Sequence, residues 1–178
     1  MPIGVQHLKT YLAAIFIIGA ICQNSVGMAQ TSAAEPVRAS GYDRLSPLVG
    51  RWTIKGREET HLEVCRWYDG KFHIVCETER KRSDGSIGRS MSILSYLPDK
   101  DSYTYYGIGD KGSNDAMSGV FHDGILEFTA EADDNGETIV SRVRIGPFSA
   151  KEVPFIAETS NDRVTWKIDA SFDYVRLE

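Results

Sequence analysis

His61-Leu62-Glu63 sets an imidazole and a carboxyl two residues apart, a spacing that on a β-strand turns both side chains to the same face. The His-x-Glu form occurs in zinc deaminases, but the Pro-Cys-x-x-Cys element that completes such a site is absent. Two readings of the pair stay open. Both groups orient a ligand inside a pocket, or both sit near a strand end and escape to solvent; the second is favoured because strand ends are the least securely placed part of a sequence reading. The acidic run from Glu131 to Glu137 lacks the alternating oxygen ligands of a calcium loop and reads as a solvated hairpin tip. No Gly-x-Ser-x-Gly, His-Glu-x-x-His, phosphate-binding or dinucleotide-binding pattern occurs, so no catalytic residue, metal site or cofactor is expected.

Cys65 and Cys76 flank the turn signal Asp69-Gly70. In the simplest hairpin register they are diagonal neighbours on one face, and a loop lengthened to Asp69–Phe72 sets them directly opposite, so either register brings them near bridging range. A structural disulfide is expected. A redox pair is the alternative, but the close Cys-x-x-Cys spacing that lowers a thiol pKa is missing.

The elements that must carry these residues are strands. From Leu45 onward, turn signals recur every ten residues or so, at Asp69-Gly70, Asp84-Gly85, Pro98-Asp99, Asp123-Gly124, Asn135-Gly136 and Asn161-Asp162 among others. Closing at Asp123-Gly124 pairs Phe121 with Leu126 and Gly119 with Phe128. Closing at Asn135-Gly136 pairs Phe128 with Val143 and Leu126 with Ile145, so the two turns agree on one apolar face. The same register sets Glu127 against Arg144 and Thr129 against Arg142 on the other face. Carried backwards, it places Trp52, Ile54, Cys65, Trp67, Phe72, Ile74, Cys76, Met91, Ile93, Leu97, Tyr106 and Ile108 inward. Small or polar inward positions at Ser95, Thr104, Gly119 and Ser141 would leave room in the interior. The Asn161-Asp162 turn then turns Val164, Trp166, Ile168, Ala170 and Phe172 inward. Tyr96, Tyr103, Tyr105 and Leu94 fall outward. About ten antiparallel strands in simple succession predict an all-β up-and-down barrel.

Ahead of the barrel, Lys9, the apolar run Tyr11–Cys22 and the small residues at Gly27-Met28-Ala29 have the layout of a secretory signal peptide over residues 1–29, cleaved after Ala29. As a helix the run would span about 18 Å, short of a hydrocarbon core of about 30 Å, so no membrane insertion is expected after cleavage. Residues 30–44 read as a flexible lead-in and residues 45–178 as the barrel domain. The destination is periplasmic or secreted, where a disulfide persists. Composition narrows the function further. The chain has 20 Lys+Arg against 25 Asp+Glu, a net charge of −5. Loss of Lys9 with the signal leaves 19 basic residues against 25 acidic ones, a net of −6. No nucleic-acid partner is expected of such a charge balance.

The entry Leu45-Ser-Pro-Leu-Val-Gly50-Arg-Trp52 resembles the Gly-x-Trp opening of lipocalins and fatty-acid-binding proteins. The resemblance implies that Trp52 closes the barrel floor and that Arg176, in Tyr174-Val-Arg176, packs over it. The segments Arg66-Trp67-Tyr-Asp-Gly70-Lys-Phe72, Leu94-Ser-Tyr-Leu-Pro98 and Thr159-Ser-Asn-Asp-Arg-Val-Thr-Trp166 look like the exported lipocalin-like family known as domain of unknown function 1579, over roughly residues 45–178. That family implies a calycin-type barrel and no assigned chemistry. The haem-binding nitrobindin-like barrels share the Gly-x-Trp opening but need a late histidine, and this chain has none after His122.

The leading expectation is therefore an exported barrel that binds a small, largely apolar ligand, with Trp67, Phe72, Tyr106, Phe128 and Trp166 lining the pocket and His61 and Glu63 as its polar candidates. Two alternatives stand beside it: an interaction module that docks another chain, or a further copy, through outward tyrosines, and an enzyme using His61 and Glu63.

Overall fold

The computed structural model describes residues 40–178; the expected signal peptide, its cleavage point and most of the lead-in lie outside the described residues. Ten strands follow in order: β1 Gly50–Ile54, β2 His61–Trp67, β3 His73–Lys81, β4 Ile87–Leu97, β5 Ser102–Gly109, β6 Asn114–His122, β7 Ile125–Asp134, β8 Glu137–Ile145, β9 Glu152–Ser160 and β10 Lys167–Arg176. Each pairs antiparallel with the next, and β1 pairs with β10 to close the barrel. Closure removes both sheet edges, which a ten-strand open meander would leave exposed.

The tight turns behave as their residues require. Asp123 and Gly124 both take positive φ, 50° and 79°, as do Asn135 and Gly136 at 56° and 88°. This is the geometry whose twist matches that of two flanking strands. Phe121 accordingly faces Leu126, Phe128 faces Val143, and Glu127 faces Arg144. The Glu131–Glu137 tip is solvent-exposed along its length.

One end of the barrel is plugged. A short helix, α1 (Ser40–Asp43), and the turn after it bury Tyr42 and Leu45, so ordered packing begins ahead of the expected start at Leu45. Tyr42 meets Phe72 and Tyr96 edge-on, with ring centres 5.3 and 5.2 Å apart, and the Tyr103 hydroxyl donates to the Gly41 carbonyl at 3.0 Å. Beside them the Trp52 indole donates to the Leu48 carbonyl at 2.7 Å. Arg176 lies over the Trp52 ring at 4.1 Å and donates to the carbonyls of Val49, Pro47 and Ala150. Any side chain at Gly50, where φ is +145°, would collide with the Arg176 guanidinium.

Two stretches depart from the expected register. In β4 and β5 the inward residues are Ser90, Ser92, Leu94 and Tyr96, then Tyr103, Tyr105, Gly107 and Gly109. Met91, Ile93, Ser95, Thr104, Tyr106 and Ile108 face out, and Tyr106 is 48% exposed. The cause is an inner wall that is apolar only near the plug. Toward the open end it turns to serine and glycine while the outer face stays apolar, so hydrophobic alternation inverts its meaning within one strand. The second departure is at the start of β10. The 161–166 segment is a wide loop in which the Asp162 carboxylate accepts backbone N–H bonds from Val164 and Thr165, at 2.8 and 2.7 Å. A bulge between Ile168 and Ala170 then shifts the phase. Phe155 therefore pairs with Phe172, and Val164 and Ile168, expected to face inward, are exposed.

Candidate functional site

Beyond the plug the barrel is hollow, enclosing a cavity of about 770 Å³, within the range of small-molecule sites. Its deep wall is Leu48, Trp52, Leu94, Ile145, Val153 and Phe155. Its middle carries Glu63, Thr78, Ser92, Tyr105, Phe172 and Tyr174. Its rim mixes Lys55, Arg57 and Arg80 with Asp115 and Asp169.

Glu63 is the central polar group. On β2 it stands opposite Thr78 of β3 and opposite Trp52 of β1, and barrel closure brings Tyr174 of β10 within reach. The Thr78 hydroxyl donates to its carboxylate at 3.1 Å and the Tyr174 hydroxyl at 3.3 Å. Glu63 lies deep in the protein, and the surface it retains lines the cavity. Burial raises its pKa, against the lowering effect of the two hydroxyl bonds. Burial and the adjacent Glu63 together raise the Tyr174 phenol well above its ordinary value.

His61, at the first position of β2, is only 5% exposed, and its ring stands 5.9 Å from that of Tyr174. The structure thus places both members of the His-x-Glu pair in the cavity wall rather than at a solvated strand end. Nδ1 of His61 has no hydrogen-bond partner. Burial, helped by the Arg80 and Arg57 charges, lowers its pKa from 6.5 to about 4, which keeps the ring neutral near pH 7. The unfolded chain binds that proton more readily, so the stability His61 contributes is present above pH 6.5 and is lost as pH falls toward about 4. Between about pH 7 and pH 4 the wild type is expected to lose on the order of 2 kcal/mol more than His61→Phe. Urea midpoints measured across that range check this, and parallel curves for the two proteins would refute it.

Cys65 and Cys76 face each other directly across β2 and β3 and form a disulfide in the same wall. Their sulfurs and the Glu63 carboxylate cluster within 4.8 Å, but bonded sulfurs offer no thiolate to a metal ion.

The aromatic candidates divide. Trp67, Phe72 and Phe128 belong to the packed core around the plug and do not line the cavity. Tyr106 lies outside on β5, and Trp166 lies outside with the Arg142 guanidinium 3.7 Å over its ring. The room expected from Ser95 and Thr104 comes instead from Ser90, Ser92, Gly107 and Gly109. Tyr96 and Tyr103 are buried in the plugged end and Tyr105 lines the cavity, so these three tyrosines form no outward docking face. Ala170 and Phe172 line the cavity, as the inward face expected of the last strand requires, whereas Tyr105 lines it against its expected outward position. Tyr174 escaped the sequence reading, although the alternation Ala170, Phe172, Tyr174, Arg176 carried the signal for it.

Among the described residues no helix is long and apolar enough to cross a membrane. No protein-family model matches the chain, and no curated protein matches it either.

Proposed function

We propose that this protein is an exported, lipocalin-like barrel, of the kind represented by domain of unknown function 1579, that holds a small, largely apolar ligand in its interior. The observation that carries the reading is the cavity itself: about 770 Å³, apolar in its depth, polar at a few converging positions and open at one end. A buried disulfide agrees with life outside the reducing cytoplasm. The Gly50-Arg51-Trp52 opening with Arg176 over the indole agrees with the resemblance.

Native mass spectrometry of protein purified from its own host, together with titration by the apolar fluorophore N-phenyl-1-naphthylamine, tests it. A retained small molecule or a saturable one-to-one fluorescence rise is expected. Ser92→Phe, which fills the middle of the cavity, should weaken dye binding by about tenfold or more. A protein that carries nothing and leaves the dye dark would end the proposal.

A further inference from the structure

Two carboxyl groups of the barrel, Glu158 on its outer face and Glu63 in its cavity wall, are held in different ways. Glu158, on the outer face of β9, is 6% exposed and sits between two guanidiniums, Arg142 at 2.9 Å and Arg144 at 3.2 Å. A shielded carboxylate held by cations is the arrangement expected when charge must be removed from water. Glu63 has no such arrangement. Among the described residues, the hydroxyls of Thr78 and Tyr174 donate to it, the disulfide sulfur of Cys65 lies 3.6 Å away with no proton to give, and the cationic side chains of the cavity, Lys55, Arg57 and Arg80, stand at the rim. The nearest ionisable base along the strand, His61, is buried and neutral near pH 7, so it supplies no counter-charge.

Around that carboxyl the wall is aromatic. Phe155 and Phe172 stack at 4.6 Å, Tyr174 packs edge-on against Phe172 at 5.2 Å, and Tyr105 approaches from β5. A carboxylate beside aromatic faces is the chemistry that receives an organic ammonium: the charge pairs with the carboxylate and the rings' negative faces stabilise the cation. The apolar depth lined by Leu94, Ile145 and Val153 takes the hydrocarbon part.

Resting on the reading of the barrel as a ligand binder, we propose that Glu63 supplies the counter-charge for a protonated amine and that the cavity selects amphiphilic amines over alcohols and carboxylic acids of the same chain length. Acids are disfavoured because they bring a second anion, and no cation, to a carboxyl whose ionisation burial already opposes.

The test is displacement of N-phenyl-1-naphthylamine from the wild-type protein by octylamine, octanol and octanoate near pH 7. Octylamine is expected to bind about tenfold tighter than octanol, with octanoate weakest. Glu63→Gln is expected to erase the advantage of the amine, so that octylamine and octanol bind that variant within about twofold of each other. Octanoate binding as well as octylamine would overturn the proposal, and so would an amine preference that survives in Glu63→Gln. The ranking on the wild type needs no variant to fold. A dye that binds while the three chains rank equally sinks this inference alone, whereas a dye that does not bind at all sinks the ligand-binding reading and this one with it.

Discussion

Trp52→Ala is expected to lower the free energy of unfolding by about 3–5 kcal/mol. The indole is almost fully buried, its N–H donates to Leu48, and its face supports the Arg176 guanidinium. Removing the ring leaves a large void in a region with no flexible neighbour to collapse into it, because Arg176 is held by three carbonyls from two separate segments. The loss therefore combines apolar transfer, an unpaired Leu48 carbonyl and a slackened clamp between the first and last strands. Urea denaturation checks it, and a loss under about 1 kcal/mol would show that the floor is not where the barrel is held.

The second large effect concerns the bond between Cys65 and Cys76. Closing a loop with a sequence separation of 11 removes chain entropy from the unfolded state worth about 3 kcal/mol. Cys65→Ala/Cys76→Ala should therefore unfold at lower denaturant, by an amount close to the effect of reductant on the wild type. Both sulfurs are buried, so reductant is expected to act on the unfolded chain and to leave the native protein oxidised over short times. Two thiols titrating readily in the native protein would contradict this and would favour the redox reading of the pair.

The parts of the fold that were legible in sequence are those where one local rule decides. Asp123-Gly124 and Asn135-Gly136 admit positive φ at both central positions, so three strands fell into register from two dipeptides. Trp52 and Arg176 were found through an opening motif, and the structure sets them face to face. The failures came where solvent enters the barrel. Ser90, Ser92, Gly107 and Gly109 face inward because the cavity needs space, and this left Met91, Ile93, Tyr106 and Ile108 as the apolar residues of the outer face. Trp166 was misplaced by a loop longer than its turn signal and by the bulge after Ile168. The partner of Glu63 was out of reach for a different reason. Tyr174 lies 111 residues away and arrives only because β10 closes on β1, and no local pattern reports which strand completes a barrel.

The plug makes the two ends of the barrel unequal in time as well as in shape. Around Trp52 and Leu45 the backbone is held by buried side chains and by the Arg176 clamp, so amide protons there are expected to exchange only through unfolding of the whole domain. The far rim, with exposed loops between β1 and β2, β3 and β4, and β9 and β10, opens at much lower free energy. For the proposed ligand, exchange would thereby be uncoupled from global unfolding: strands parting at the rim would admit or free a molecule while the floor keeps the register of all ten.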